Sequence, residues 1–126
     1  MATQRITWSR PIAADASKDG TGGTLIMVAD AVFGSIVSFV RVISAGSTAA
    51  GVFNLWINNG SMMGNEKNNT LFESIDIPAC SGGSANRHID IPLDLELPPG
   101  YKLTYSLGSA SDGFLHVTAI FKDKVA

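Results

Sequence analysis

Charge is scarce in this chain: Asp, Glu, Lys and Arg make up 16% of its 126 residues, against 45% apolar. A domain of this size exposes a large share of its side chains, so the thin polar coat leaves apolar surface over. A subunit interface is the usual place for such a surplus. No block of one sign occurs either. The nine Lys and Arg stand singly and the formal net charge is −2, which leaves no basic footprint for nucleic acid. Cys80 is the only cysteine, excluding an intrachain disulfide and fitting assembly in a reducing cytoplasm. Long apolar runs are missing too. The densest stretch, Ala31 to Ile43, is broken by Ser35, Ser38 and Arg41 and falls well short of the ~20 residues that cross a bilayer, so no membrane partner is expected. Met1 to Arg10 lacks the apolar centre of a secretory signal.

A helical period is also absent, and strands with turn signals take its place. Leu25–Ala29 and Ser35–Ser44 are dense in Val, Ile and Phe, with Gly34 between them. Val52–Asn58 puts Phe53, Leu55 and Ile57 on one face and Asn54 and Trp56 on the other, and Asn58-Asn59-Gly60-Ser61 reads as a turn. Leu71–Ile77 ends at Pro78. Ile89, Ile91, Leu93, Leu95 and Leu97 then alternate with Asp90, Pro92, Asp94 and Glu96, the mark of a half-buried strand. Pro92 cannot donate to a ladder, which places that strand at a sheet edge. After the Pro98-Pro99-Gly100 turn, Tyr101, Leu103, Tyr105 and Leu107 alternate with polar residues, and Phe114–Phe121 is the last strand. About seven strands without crossover helices predict an all-β fold, an antiparallel two-sheet sandwich or jelly-roll-like barrel.

The first 23 residues read differently. After the short alternation of Ile6 and Trp8 come Pro11 and a run of small residues, Asp and Gly, too few apolar groups for a core. The expected organisation is an extended N-terminal arm, 1–23, and one β-sandwich domain, 24–126. The residues expected to make contacts with a partner or a neighbouring subunit are Ile6, Trp8, Arg10 and Ile12, spaced along the arm, with Trp8 as the main anchor.

No chemistry-bearing constellation emerges, and no enzyme, metal or cofactor is expected. His88 and His116 fall on different strands and lack a third ligand, so they read as polar-face histidines rather than a zinc site. Asp90, Asp94 and Glu96 share one strand face; a calcium site needs six or more converging oxygens, and a solvated edge explains them better. Cys80 sits in Ala79-Cys80-Ser81-Gly82-Gly83 without a basic neighbour to lower its pKa, and no G-x-S-x-G elbow occurs. Gly82-Gly83 and Gly20-Thr21-Gly22-Gly23 are followed by no Lys-Ser/Thr, so neither cradles phosphate. Met62-Met63 is an adaptable contact point or a loop filler. Trp8, Trp56, Tyr101 and Tyr105 fall in three separate segments, which favours core or interface use over a sugar site.

The C-terminal half carries a resemblance. Asn69-Thr70-Leu71-Phe72-Glu73-Ser74-Ile75-Asp76-Ile77-Pro78-Ala79, the leucine strand through Leu97-Pro98-Pro99-Gly100-Tyr101, and His116-Val117-Thr118-Ala119 together resemble small phage-encoded virion proteins. The likeness spans roughly residues 51 to 121. It implies a β-sandwich found on phage virions, in some cases as a capsid decoration (cement) protein, which sits on the outer surface of the head and clamps neighbouring capsid subunits, commonly as a homotrimer. The implied partner is the major capsid protein. The alternative is a tail or host-recognition module that binds a surface glycan or another tail protein.

Overall fold

The computed structural model describes residues 4–9, 23–44, 51–78, 88–107 and 115–124. These build two four-stranded antiparallel sheets, with one short 3-10 turn at Glu66–Asn68. In chain order the strands are β1 (Gln4–Ser9), β2 (Thr24–Val28), β3 (Ser35–Ser44), β4 (Gly51–Asn58), β5 (Asn69–Ile77), β6 (His88–Leu97), β7 (Lys102–Leu107) and β8 (Leu115–Asp123). Sheet A has the order β1-β8-β3-β6 and sheet B the order β2-β7-β4-β5. Eight strands dealt between two sheets in this order form a jelly roll, which makes the expected all-β sandwich specific. The strand beyond the expected seven is β1. Its alternation is too short to announce a strand, yet its backbone pairs with β8 along its whole length, from Gln4↔Lys122 to Ser9↔Val117. Residues 1–3 and 10–22, the remainder of the expected arm, lie outside the described residues.

Alternation decides which residues enter the core. Sheet A contributes Val37, Val40, Val42, Ile91, Leu97, Val117, Ala119 and Phe121, and sheet B contributes Ile26, Met27, Phe53, Leu55, Ile77, Leu103, Tyr105 and Leu107. The rings of Phe53 and Tyr105 stack at its centre, 5.3 Å apart and tilted by 17°. The leucine strand keeps its phase: Asp90, Pro92, Asp94 and Glu96 are exposed, and β6 lies at the sheet edge as Pro92 requires. Only Ile91 and Leu97 are fully buried, however. Ile89, Leu93 and Leu95 are half-buried, because an edge strand has a neighbour on one side only.

One irregularity shapes sheet A. Between the inward residues Val37 and Val40, strand β3 advances three residues while β8 advances two, Phe121 to Ala119, and β6 four, Leu95 to Ile91. The inward set of β3 accordingly switches from odd to even numbers, Ser35 and Val37 before the slip and Val40 and Val42 after it. Bulges of this kind bend strands and increase their twist. Asp94 lies in the longest path, on the outermost strand, with φ +47. Asp is one of the few side chains that adopt this backbone routinely.

The β2–β3 and β6–β7 turns are tied together at one end of the sandwich. Asp30 Oδ2 accepts from the backbone N–H groups of Val32 and Phe33, and the Asp30 carbonyl accepts from Gly34 and Gly100. Ser35 Oγ accepts from the Asp30 N–H at 2.9 Å and donates to Asp123 Oδ1 at 2.8 Å, joining the turn to β8. This well-bonded end nevertheless presents Val32 and Phe33 to solvent.

Candidate functional site

The two histidines come into one row without meeting. His88 on β6 and His116 on β8 are both in register with Ile43 of the intervening β3. Two strand spacings separate them by roughly 10 Å, too far to share an ion through nitrogen ligands at about 2 Å. Among the described residues no three His, Cys, Asp or Glu gather into a possible metal site. Cys80 and Gly82-Gly83 lie outside the described residues.

The carboxylates of β6 have separate surroundings. Asp90 lies in register with Arg41 of the adjacent β3 and takes a two-pronged pair, Nε to Oδ1 at 2.7 Å and Nη2 to Oδ2 at 3.0 Å. The hydrogen bonds from Arg41 hold the Asp90 carboxyl below its ordinary range and raise the guanidinium in turn. Arg41 also lies 5.8 Å from the centroid of the Phe39 ring. Glu96 pairs with Lys124. Two of the three carboxylates on this strand face, Asp90 and Glu96, thus meet different cations, Arg41 on β3 and Lys124 just past β8, and these pairs tether β6.

The aromatic residues do not converge. Tyr105 points into the core, Tyr101 is half-buried at the β6–β7 turn, and Trp56 lies on the opposite face of sheet B. On that face a cross-strand row runs through all four strands in register, Leu25–Thr104–Trp56–Leu71. Trp56 is only 4% exposed and its Nε1–H donates to the buried Ser106 Oγ at 2.9 Å. Strand β7 is therefore buried on both faces, where alternation alone predicts one solvated face. Thr104 Oγ1 is buried beside this bond without a hydrogen-bond partner. Met62 is among the most exposed apolar residues, at 76%, whereas Met63 is half-buried and its carbonyl accepts from Asn69 Nδ2.

The arm residues singled out for contacts are placed as follows. Ile6 sits on β1 in register with Ile120 and is 68% exposed. Trp8 is in register with Thr118. Arg10 and Ile12 lie outside the described residues.

A further surface escapes alternation-based reading: the side of the sandwich bounded by β5 and β6. At the other side β1 packs against β2, whereas among the described residues β5 and β6 have no comparable contact. The inward residues Ile75, Ile89, Leu93 and Leu95 are half-buried along this side, and β5 presents five exposed residues in succession, Thr70 to Ser74. The available signal is Leu71-Phe72, two adjacent large apolar residues in an otherwise polar strand. A strand must send one to each face, and a slip in pairing between Leu55 and Trp56 falls opposite them. They are 48% and 42% exposed.

No family model, curated protein or solved structure matches this chain.

Proposed function

We propose that this protein is a phage virion structural protein, a capsid decoration protein that sits on the outer head shell and clamps neighbouring capsid subunits as a homo-oligomer. The observation that carries the reading is the jelly-roll strand order, an architecture recurrent in viral capsid and lectin domains. The strands that bear the resemblance, β5, β6, β7 and β8, are divided between both sheets of that sandwich. The adjacent exposed pairs Val32-Phe33 and Leu71-Phe72 support a role in contact, because contiguous apolar surface marks interaction sites. The contact residues in this reading are Ile6, Trp8, Arg10 and Ile12, with the major capsid protein or an adjacent copy as their partner.

The alternative, a glycan-binding host-recognition module, needs exposed aromatic rings grouped in one place. Phe33 and Phe72 are exposed, but they lie on different elements, and Trp56 and Tyr105 are buried. The test is co-sedimentation of the purified protein with phage heads lacking it. Saturable binding in proportion to the number of capsid subunits is expected, and binding to host envelope polysaccharide without binding to heads would favour the alternative.

A further inference from the structure

Of the seven asparagines in the chain, Asn59 alone is followed by glycine. That dipeptide is the one most open to deamidation. The reaction begins when the next residue's backbone nitrogen attacks the side-chain amide, and glycine has no side chain to obstruct it. The fold requires the pairing. Gly60 follows β4 at φ +93, and a Cβ there would stand 3.0 Å from the Gly100 carbonyl oxygen. Asn59 and Gly60 are both exposed, so burial does not keep water from them. Hydrogen bonds hold both reacting groups instead. The Gly60 N–H donates to Asn58 Oδ1 at 2.8 Å, which engages the nucleophile. Asn59 Oδ1 accepts from the Ser61 N–H at 3.1 Å and Asn59 Nδ2 donates to Asn68 Oδ1 at 3.3 Å, which fixes the amide under attack. Asn58 is itself buried and anchored, since its Nδ2 donates to Asn69 Oδ1 at 3.0 Å.

We propose that Asn59 is a latent deamidation site: the asparagine network holds it unreactive in the folded loop, and it converts to aspartate and isoaspartate when the loop opens. In the reaction the Gly60 nitrogen gives up its proton and bonds to Asn59 Cγ. The Cγ–Nδ2 bond breaks, and Nδ2 leaves as ammonia with that proton. Water then opens the resulting succinimide at either carbonyl. The sum is amide plus water giving carboxylic acid and ammonia, with no change of oxidation state. In the folded loop the proton of the nucleophile is committed to Asn58 and the amide oxygen is turned to Ser61. Reaction therefore waits on local opening, whose equilibrium sets the rate. The product has a carboxylate oxygen where Nδ2 donated to Asn68, and isoaspartate also lengthens the main chain by a methylene. The modified loop loses its bond to Asn68, which makes the opening irreversible. This inference concerns the chemistry of the chain and stands apart from the proposed role on a virion.

Peptide mapping by mass spectrometry of the full chain, aged in mildly alkaline buffer, tests it. The readout is the mass gain in the peptide that contains Asn59, which isomerisation at Asp19-Gly20 or Asp112-Gly113 does not produce. In the folded wild type Asn59 should convert at least about tenfold more slowly than in the same chain unfolded by guanidinium. Asn58→Ala frees the Gly60 N–H, and Asn68→Ala frees the Asn59 amide. Each should raise the rate about fivefold, the effect of losing one hydrogen bond, with thermal melts showing that the variant is folded. The comparison of folded with unfolded wild type needs no variant. Equal rates in those two states would overturn the proposal, as would folded variants of both kinds that age like the wild type.

Discussion

A Cβ placed on Gly34 would stand 2.3 Å from the carbonyl oxygen of Leu97, closer than any real Cβ contact. Gly34 combines that approach with φ +81, and its N–H and C=O are both used, by Asp30 and Lys124. Gly100, in the adjoining turn, has a similar φ of +79 but open space where a Cβ would go. Gly100→Ala should therefore cost only the backbone term, about 1–2 kcal/mol. Gly34→Ala adds a clash with backbone and should cost clearly more, to the point of preventing folding. Denaturant titration of the two variants checks the order.

The buried polar atoms beside Trp56 predict opposite signs for two neighbouring substitutions. Thr104→Val keeps the β-branched shape and removes a buried hydroxyl without a partner, so it should be neutral or stabilise by up to about 1 kcal/mol. Ser106→Ala removes the acceptor of the indole N–H and should cost about 1–3 kcal/mol. Chemical denaturation, with Trp56 fluorescence as a local probe, separates the two.

On β6, Leu93→Asp should destabilise strongly, since it puts a carboxylate against the core, whereas Asp94→Asn should change stability by no more than about 0.5 kcal/mol. Asp94→Val should cost about 1–2 kcal/mol, because a β-branched residue resists the left-handed backbone that Asn accepts. Equal effects of Asn and Val at this position would contradict the bulge.

These cases show where sequence sufficed. Period-two alternation over Ile89–Leu97 and Tyr101–Leu107 exposed both strands and their inward faces, because a strand sends successive side chains to opposite sides. The same pattern was hidden in Ser35–Ser44, where apolar residues on both sides of Ser38 conceal the change of phase that the register shows. The burial of Thr104 and Ser106 was not legible, since it depends on Trp56 from a strand some 50 residues away. Pairing partners were equally out of reach, and with them the exposure of β5. The contacts proposed for the arm rest on composition, and of those residues the structure describes Ile6 as exposed on a sheet edge.

The Arg41–Asp90 pair predicts a modest acid sensitivity. Its hydrogen bonds lower the folded pKa of Asp90, so the stabilisation is whole above the ordinary carboxylate range and is lost as pH falls through the folded value. Both side chains are substantially exposed, at 44% and 38%, so solvent and salt screen the effect. Asp90→Asn should lower the melting temperature slightly at neutral pH. The difference from wild type should shrink at about pH 2 and at about 1 M salt. A difference independent of both would assign the loss to packing.

In the proposed role this jelly roll is a coat component of a phage head. Quantitative mass spectrometry of purified particles, scaled to the major capsid protein, measures that role. Hundreds of copies per particle are expected, in a fixed simple ratio to the capsid subunits. A handful of copies confined to the tail, or none in the particle, would contradict it.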